Sequence, residues 1–396
     1  MNTDLIQAIH ASPLRLVMAV TGGGSLAISD LLTESGASHT VLEVVVPYGE
    51  QALVDFLSHK PEQFCSERTA RRMAMAAFVK ALRYAEAEND LIGIGCTCSL
   101  ASDRPKNGEH RAHWAVQSID QTLSATVVFA KGLRSRHEEE RLVADLIVTT
   151  IAAFANGSSC SEDLAETLQK LLRHDETVVL RTATAPQCVQ NVLFRECPSC
   201  LVSSGEWQAN PVGNVDQRDM PEIIFPGSFD PMHRGHYGMI EFVRRKFRGN
   251  ARVVLEIAVR NADKPPMDYV DLHDRMASIA KYPGMDTVSV WLTQYALFSE
   301  KMKFFYHAMF MVGTDTLKRI AMPQYYGNDP SAVDTAIRRL TARLCRFLCF
   351  ARRNENGEIE TADSLDLPER LREMVISVPE SEFCDDISST QLRNFF

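Results

Sequence analysis

The stretch PGSFDPMHRGH, residues 226–236, decides how the second half of this chain folds. It follows the apolar segment EIIF and precedes residues with the apolar spacing of a helix, so we expect a strand, a tight turn and a helix in succession. Gly227 permits the tight turn and a close approach of the backbone. The start of the helix offers unpaired N–H groups and the positive end of the helix dipole. This order of elements predicts a place that can hold a phosphate group.

Two histidines stand at the predicted start of this helix. His233 and His236 are three residues apart, so both side chains can project from one side of the first turn. Gly235 lies between them and removes a side chain that would crowd a phosphate. Donors fixed here can stabilise negative charge on phosphate oxygens in a transition state. The simpler interpretation is a pair of helix-start histidines without a chemical role, but the whole eleven-residue string is far more specific than the pair.

The string resembles the GSFDPxHxGH signature of the nucleotidyltransferase superfamily. A second segment, ISSTQLR at residues 387–393, resembles the ISSTxIR motif of that superfamily, with Leu392 in place of the usual isoleucine. The resemblance implies a Rossmann-like open parallel sheet whose ligand crevice lies at the carboxyl ends of the strands. It also implies catalytic roles for His233, His236 and Arg393, the last by pairing with phosphate oxygens. In the two motifs, the residues expected to bind ATP are Gly227, Ser228, Phe229, Asp230, Gly235, Ser388, Ser389 and Thr390.

A third segment lies between these motifs. VGTDTL at residues 312–317 resembles the GxDxL segment of the nicotinamide and nicotinate mononucleotide adenylyltransferases. The resemblance implies that Gly313 and Asp315 contact the nucleotide, with the carboxylate accepting hydrogen bonds from ribose hydroxyls. A strand-to-helix turn capped by an aspartate is the alternative interpretation.

Residues after two further predicted strands are candidates for other contacts. Asn261 and Lys264 stand where a mononucleotide acceptor would lie, and Lys264 could meet its phosphate; a solvated loop is an equally good interpretation. Arg352 and Arg353 follow a later strand, near the place where the superfamily has an arginine close to ATP. Spacing does not say which of the two arginines takes that place.

The first half of the chain also alternates strands with helices. The segments LRLVMAVTG, HTVLEVVVPY, DLIGIGCTC and SATVVFAKG are predicted strands, and predicted helices follow the first, second and fourth of them. This alternation predicts parallel βαβ units in a layered α/β domain. The Pro, Gly, Asn and Asp residues before the second half predict a loop. We therefore expect an α/β protein of two domains, over residues 1–196 and 221–396, with a linker over residues 197–220.

The glycine-rich turn AVTGGGS, residues 19–25, and the later GIGCTCS turn resemble the C-terminal domain of the CinA family. Some members of that family deamidate nicotinamide mononucleotide. The corresponding family turn reads ESCTGG and carries a serine nucleophile. Alignment on Thr21, Gly22 and Gly23 puts Ala19 at that serine, and a methyl group has no oxygen to attack an amide.

Other positions of this predicted N-terminal site agree only in part with the CinA family pattern. Tyr48 matches the aromatic residue of the family's TYSNxxK segment, but Leu53 falls where its lysine would be. Ser25 and Cys96 are possible substitute nucleophiles, although the sequence shows no base beside either. We therefore expect a ligand-binding or assembly module that has lost deamidation.

Composition limits the classes of partner. A net charge of −9 on 396 residues argues against a general nucleic-acid binder, which normally shows a basic field. No stretch reaches the roughly 18 apolar residues that a membrane span needs, and the N-terminus lacks the pattern of a secretory leader. We therefore expect a cytoplasmic protein that binds neither nucleic acid nor membrane.

Ten cysteines raise the question of a metal site. Cys197 and Cys200 form a CxxC in a polar stretch, but no second CxxC or histidine pair completes a four-ligand zinc site. We therefore expect no bound metal other than the Mg²⁺ that accompanies ATP.

The sequence taken together favours adenylyl transfer from ATP to nicotinamide or nicotinate mononucleotide, with Mg²⁺ as cofactor. Another phosphate acceptor, such as pantetheine phosphate or flavin mononucleotide, is the enzymatic alternative. A nucleotide-sensing protein that binds without turnover is the alternative outside catalysis. The expected partners are ATP and a mononucleotide, and self-association into a homo-oligomer is also possible.

Overall fold

The computed structural model describes residues 3–85, 90–103, 107–157, 162–194, 197–209, 222–260, 265–305, 307–353 and 356–383. The chain divides into two compact units. The first unit comprises Met1–Ala185 and Asp263–Leu272, and the second comprises Pro186–Ala262 and His273–Phe396. Among the helices in the described ranges, none has the length and apolar character that crossing a membrane requires.

The first unit is an α/β domain built on one mixed sheet. Its helices are α1 (Thr3–Ala11), α2 (Ser25–Thr33), α3 (Ala37–Thr40), α4 (Glu50–Leu57), α5 (Glu67–Tyr84), α6 (Arg136–Ala155) and α7 (Glu162–Gln169). Its strands are β1 (Arg15–Thr21), β2 (Val41–Val45), β3 (Leu91–Ser99), β4 (His110–Gln117), β5 (Gln121–Phe129) and β6 (Val178–Thr184). In the described part of the chain these strands pair in the order β2-β1-β3-β4-β5-β6.

Only part of this sheet has the parallel pairing that the sequence predicts. Strands β2, β1 and β3 are parallel, whereas β3, β4, β5 and β6 are paired antiparallel. The sequence analysis did not identify β4. Seven of its eight residues are buried, so the strand lacks the alternation of apolar and polar residues that marks a strand with one face in water.

Helix α5 packs closely on strand β3. A Cβ atom added at Gly93 would lie 2.1 Å from the backbone nitrogen of Phe78, and one added at Gly95 would lie 2.2 Å from the carbonyl oxygen of Ala70. Glycine at these two positions therefore lets α5 approach the sheet. On α6, Thr150 Oγ1 accepts a hydrogen bond of 3.0 Å from the indole nitrogen of the buried Trp114 of β4.

The second unit is an open sheet that is mainly parallel. Its helices are α8 (Gln187–Leu193), α9 (Arg234–Lys246), α10 (Tyr269–Ala280), α11 (Phe298–Phe304), α12 (Thr314–Ala321), α13 (Pro330–Ala342) and α14 (Glu369–Arg372), and the first residues of α10 belong to the first unit. Two short 3-10 helices cover Pro323–Tyr326 and Ala362–Ser364. Its strands are β7 (Ser199–Ser203), β8 (Glu206–Ala209), β9 (Glu222–Pro226), β10 (Arg252–Ala258), β11 (Val290–Thr293), β12 (Met309–Gly313), β13 (Arg346–Phe350), β14 (Arg352–Arg353), β15 (Ile359–Glu360) and β16 (Val375–Val378).

The order of strands in the described part of this sheet is β16-β13-β12-β9-β10-β11-β7-β8. All neighbours from β16 to β11 are parallel, as expected for a Rossmann-like sheet. The predicted fold class, an α/β protein with a Rossmann-like second domain, is confirmed. Buried rings of Phe298, Phe310 and Phe347 pack on one another at one face of the sheet, with centroids 5.3 to 5.8 Å apart.

The predicted linker over residues 197–220 is wrong in its first part. Strands β7 and β8 form a hairpin there, and β7 pairs antiparallel with β11 at the edge of the second sheet. Cys200, Leu201 and Val202 are buried in that edge, so their apolar side chains stabilise a strand in a stretch rich in turn-forming residues. The second unit accordingly begins at Pro186, before the predicted boundary.

Candidate functional site

The two histidines of the PGSFDPMHRGH stretch lie together at the start of helix α9. His233 is the N-cap residue, and its Nδ1 accepts a hydrogen bond of 3.4 Å from the backbone nitrogen of His236. In return, His236 Nδ1 accepts one of 3.3 Å from the backbone nitrogen of His233. The two rings stack with centroids 3.7 Å apart. Since each Nδ1 is an acceptor, a neutral ring carries its proton on Nε2, and the pair presents two N–H donors side by side.

His236 is neutral over the physiological pH range. Burial is the largest cause that lowers its pKa from 6.5, and with the nearby His233 and Arg352 it brings the pKa to about 3. The ring therefore acts as a neutral hydrogen-bond donor at neutral pH. A charge-neutral donor at a helix start suits anionic oxygen atoms, which the helix dipole also favours.

The loop before the histidines folds around the buried ring of Phe229. This ring packs edge-on against Phe225, with centroids 5.2 Å apart, and against His236 at 5.1 Å. The backbone of Phe229 has a φ of 45°, in the left-handed region. A Cβ atom added at Gly227 would lie 2.7 Å from the Phe229 ring, so glycine leaves the space that the ring fills.

Two side chains of helix α10 hold the same loop. Arg275 Nη1 donates a hydrogen bond of 2.9 Å to the carbonyl oxygen of Ser228, and its Nη2 lies 3.6 Å from Asp230 Oδ2. Ser278 Oγ accepts a hydrogen bond of 2.9 Å from the backbone nitrogen of Met232. The sequence analysis missed both Arg275 and Ser278, because a helix pattern does not show which distant loop its polar side chains will meet.

A buried ion pair lies under the same loop on strand β10. Gly227 N donates a hydrogen bond of 2.9 Å to the carbonyl oxygen of Glu256, whose own carboxylate is fully buried. Lys301 Nζ of α11 lies 2.6 Å from both carboxylate oxygens of Glu256, and Thr293 Oγ1 donates to one of them at 2.5 Å. The sequence analysis did not identify this group, since its members come from three separate elements.

The structure distinguishes Arg352 from Arg353. Arg352 Nη1 lies 2.5 Å from Asp315 Oδ2, and its charge acts on the pKa of His236. Arg353 instead donates to the carbonyl oxygen of Gly357 at 3.1 Å. Arg352 is therefore the arginine of the two whose charge acts on His236, and it forms an ion pair with Asp315.

The GxDxL segment forms a strand-to-helix turn. Gly313 ends strand β12 and is the N-cap residue of α12, and apart from its chain neighbours no atom of the described residues lies within 4 Å of a Cβ added there. Asp315 stands in the first turn of α12, with its side chain 52% exposed. The turn thus leaves open space beside its backbone and an accessible carboxylate. Six further predicted site residues lie outside the described residues: Asn261, Lys264, Ser388, Ser389, Thr390 and Arg393.

The first unit has a cavity of about 280 Å³ at its glycine-rich turn. Its lining includes Thr21, Gly22 and Tyr48 of the predicted site, together with Cys65 and Arg136. Arg136 is the first residue of α6, and its Nη2 donates a hydrogen bond of 2.9 Å to the carbonyl oxygen of Gly22. A guanidinium group at a helix start makes this cavity suitable for an anionic ligand.

The side chain at the position of the family's nucleophile cannot act in this cavity. Ala19 is fully buried in β1, packs with Leu53 and does not line the cavity. Gly23 is also buried, and a Cβ atom added there would lie 2.7 Å from Leu100. The turn therefore keeps its close backbone packing without an attacking group at residue 19.

Neither substitute nucleophile from the sequence analysis lines the cavity. Ser25 Oγ donates a hydrogen bond of 2.8 Å to Glu140, and the same carboxylate oxygen accepts from the backbone nitrogen of Leu26. Glu140 is thus a carboxylate beside Ser25 that the sequence did not show, and it caps the start of α2. Cys96 is fully buried, with its Sγ 3.5 Å from Cys98 Sγ.

The thiols that do line the cavity are not activated. Burial raises the pKa of the Cys65 thiol, and burial together with the neighbouring Cys96 raises that of Cys98. Both groups are therefore protonated at neutral pH, whereas a thiol nucleophile needs the thiolate.

Three thiols, those of Cys188, Cys197 and Cys200, lie near one another in the CxxC region. The pKa of Cys200 is raised by burial and by the neighbouring Cys188 and Cys197. In the described ranges, no three or more His, Cys, Asp and Glu side chains are placed to hold a metal ion. Cys188, which the sequence analysis did not consider, forms a side-chain hydrogen bond with Cys200.

Comparisons with known proteins match the two halves of the chain separately. A family model described as cytidylyltransferase-like matches residues 224–395, which confirms the resemblance to the nucleotidyltransferase superfamily. A search of curated proteins found no match.

Solved structures of CinA-family proteins match the N-terminal region, as the sequence predicted. The competence/damage-inducible protein CihA from Agrobacterium tumefaciens is 19% identical and has a TM-score of 0.31, with 43% of this chain and 94% of that chain covered. A CinA superfamily protein from Escherichia coli is 22% identical and has a TM-score of 0.30, with 40% and 87% covered. Protein ComA from Klebsiella pneumoniae is 18% identical and has a TM-score of 0.31, with 40% and 98% covered.

Proposed function

We propose that the second unit transfers AMP from ATP to nicotinamide or nicotinate mononucleotide, with release of pyrophosphate. The observation that carries the proposal is the stacked pair His233 and His236, whose Nε2–H groups are presented together at the start of α9. The cytidylyltransferase-like match supports nucleotidyl transfer as the general reaction. The GxDxL turn with Asp315 supports the narrower choice of a pyridine mononucleotide acceptor.

The chemistry needs donors rather than a base. The attacking group is a phosphate oxygen of the mononucleotide, which is already anionic near neutral pH. Its lone pair forms a new bond to the α-phosphorus of ATP while the bond from that phosphorus to the β-phosphate oxygen breaks, and pyrophosphate leaves with its negative charge. The transition state carries extra charge on the oxygens of the α-phosphate. Two N–H donors held at the start of α9 stabilise that charge without taking up a proton.

Other residues of the unit hold the reactants in this proposal. Arg352 lies beside His236 and supplies a positive charge for the triphosphate, and Asp315 accepts hydrogen bonds from a ribose. Arg393 and the serine-threonine segment before it are proposed to hold the β- and γ-phosphates. Mg²⁺ enters with ATP as part of the substrate complex.

The test is an assay of the full chain with labelled ATP, Mg²⁺ and a panel of acceptors. The panel contains nicotinamide mononucleotide, nicotinate mononucleotide, pantetheine phosphate and flavin mononucleotide. The proposal expects a dinucleotide and an equal amount of pyrophosphate from one or both pyridine mononucleotides. If only pantetheine phosphate or flavin mononucleotide gives a product, the proposed pyridine mononucleotide acceptor is wrong. ATP binding without product from any acceptor would favour a nucleotide-sensing protein.

We further propose that the first unit binds an anionic ligand without deamidating it. The cavity with Arg136 and the close-packed turn supports binding, while the buried Ala19 and the protonated thiols count against turnover. Incubation of the full chain with nicotinamide mononucleotide, without ATP, should release no ammonia. Steady ammonia release that survives purification of the protein to homogeneity would contradict this part of the proposal.

A further inference from the structure

Arg275 of helix α10 meets the loop that precedes the histidine pair at two points. Its Nη1 donates a hydrogen bond of 2.9 Å to the carbonyl oxygen of Ser228, and its Nη2 lies 3.6 Å from a carboxylate oxygen of Asp230. These three residues and the histidine pair all belong to the second unit. The planar guanidinium therefore joins the backbone of one loop residue to the side chain of another, two positions later.

The residue between these two contacts has an unfavourable backbone conformation. Phe229 has a φ of 45°, and this left-handed region is rare for a bulky side chain. Such a conformation persists only where its surroundings determine it. The buried Phe229 ring packs against Phe225 and His236, which fixes the side chain. The bond from Arg275 to the carbonyl oxygen of Ser228 fixes the peptide group that immediately precedes the φ rotation.

A second side chain of α10 fixes the far end of the loop. Ser278 lies three residues after Arg275, so both side chains can project from one side of the helix. Ser278 Oγ accepts a hydrogen bond of 2.9 Å from the backbone nitrogen of Met232, and it donates one of 2.8 Å to the carbonyl oxygen of Arg275. Met232 directly precedes His233, the N-cap residue of α9. One helix therefore holds the loop both before and after its strained residue.

Direct binding of phosphate is the alternative role for a cation beside this loop. Both Nη atoms of Arg275 face loop groups, and only 12% of its side chain is exposed, so it has little surface to offer a triphosphate. Its charge has a separate effect on the site. A carboxylate repels a triphosphate, and a cation 3.6 Å from Asp230 offsets that repulsion. A test must therefore separate the effect of position from the effect of charge.

We propose that Arg275 is a positioning residue for the histidine pair, and that it acts by fixing the peptide group before Phe229. The proposal rests on the function proposed above. The two rings stabilise the transition state only when their Nε2–H groups lie at the correct distance from the α-phosphate oxygens. A misplacement of about 1 Å in a reacting group can reduce a rate by about a hundredfold. Loss of Arg275 should therefore lower kcat of adenylyl transfer at least about tenfold, with KM for ATP changed by less than about threefold.

The test uses full-length variants. Arg275→Met removes both contacts with the loop and keeps an apolar stem of similar length. A double variant with Asp230→Asn also removes the carboxylate charge that the cation faces, and it is compared with Asp230→Asn alone. The double variant should still have the lower kcat of the two, because the bond to Ser228 is missing in it. Arg275→Lys keeps the charge but loses the planar fork, and should restore only part of kcat.

Arg338→Met is the matched control. Arg338 is an arginine of helix α13 in the same unit, and its Nη2 lies 2.6 Å from Asp334 on its own helix. Its side chain is 65% exposed, and an exposed ion pair of this kind contributes little. Arg338→Met should therefore leave kcat within about twofold of the wild type.

Two readouts separate the possible outcomes. The first is kcat for transfer at a temperature well below each unfolding midpoint; the second is the set of NMR signals from the C–H groups of the two histidine rings. The proposal expects both to change in Arg275→Met and in the double variant, both to be partly restored in Arg275→Lys, and neither to change in Arg338→Met.

Three results would overturn the proposal: wild-type kcat in folded Arg275→Met, a double variant as fast as Asp230→Asn alone, or a lower kcat with unmoved histidine signals. If Arg275→Met does not fold, Arg275→Lys decides, and wild-type kcat together with wild-type histidine signals in it would contradict the positioning role. If the wild type transfers nothing, the proposed function fails, and the histidine signals alone decide the role of Arg275.

Discussion

At the scale of single residues, the backbone of helix α9 determines what the two histidines can do. Each Nδ1 accepts from the other residue's backbone nitrogen, so Nε2 carries the proton in both neutral rings. Burial and neighbouring positive charge keep His236 neutral. The site therefore contains, in His236, a hydrogen-bond donor whose protonation does not depend on small changes in pH near neutrality.

Replacement of His236 tests the donor role. His236→Ala removes one Nε2–H, and loss of one donor of this kind lowers a rate by about a hundredfold or more. We expect that fall in kcat, measured as pyrophosphate release, with ATP binding changed by less than about tenfold. His174→Ala is the control, because the side chain of His174 is 98% exposed. Transfer by His236→Ala within a few-fold of the wild type would mean that the donor role is wrong.

The neutral state of His236 also has a kinetic consequence. Because its pKa is about 3, the ring loses no donor function and gains no charge as the pH falls from about 8 to about 5. Titration of His236 should therefore cause no fall of kcat near pH 6.5, so the wild type and His236→Asn should have pH profiles of the same shape in that range. An acid limb of that kind in the wild type, absent in the variant, would show that the ring titrates during catalysis.

Gly227 tests the packing of the loop. Gly227→Ala places a methyl group 2.7 Å from the buried Phe229 ring, so the ring or the loop must move. We expect the free energy of unfolding to fall by about 1 to 3 kcal/mol, measured by urea denaturation. Gly313→Ala is the matched control for stability, since its methyl group meets open space, and it should change that free energy by less than about 1 kcal/mol.

At the scale of elements, the group of Glu256, Lys301 and Thr293 joins β10, β11 and α11. Glu256 is fully buried and Lys301 is 4% exposed, so removing the charge of one partner leaves the charge of the other buried and unpaired. Lys301→Met should lower the free energy of unfolding by about 3 to 5 kcal/mol. A double variant with Glu256→Gln should regain much of this loss, because it removes the unpaired charge.

The exposed pair of Lys318 and Glu360 provides the comparison for this prediction. Lys318 Nζ lies 2.6 Å from Glu360 Oε2, the same distance as in the buried pair, but the Lys318 side chain is 34% exposed. Lys318→Met should therefore change the free energy of unfolding by less than about 1 kcal/mol. If Lys301→Met and Lys318→Met lower the free energy of unfolding by equal amounts, burial does not determine the contribution of these ion pairs.

At the scale of the whole molecule, acid should destabilise the chain through buried neutral histidines. In the unfolded chain a histidine binds a proton below about pH 6.5, whereas burial holds the pKa of His113 to about 4 and that of His236 to about 3. Between about pH 6.5 and pH 4 the unfolded state therefore binds more protons, so stability rises with pH and is lost as the pH falls. The urea midpoint should fall over that range, and His113→Gln should make the fall shallower, while His174→Gln should not.

The sequence alone determined the turn of residues 226–236 and the α/β class of both halves. These features depend on neighbouring residues: apolar spacing, glycines at a tight turn, and two histidines within one helical turn. It also predicted, by alignment on the glycine-rich turn, that Ala19 takes the position of the CinA family's nucleophile.

Only the tertiary structure decided which distant side chains meet. It placed Arg352 rather than Arg353 where its charge acts on His236, it placed Arg275 and Ser278 in contact with the loop, and it placed β7 next to β11 in the second sheet. It also placed Arg71 against Asp268 and Asp271. Contacts between residues so far apart leave no local pattern in the sequence, because the path of the backbone between them determines whether their side chains can touch.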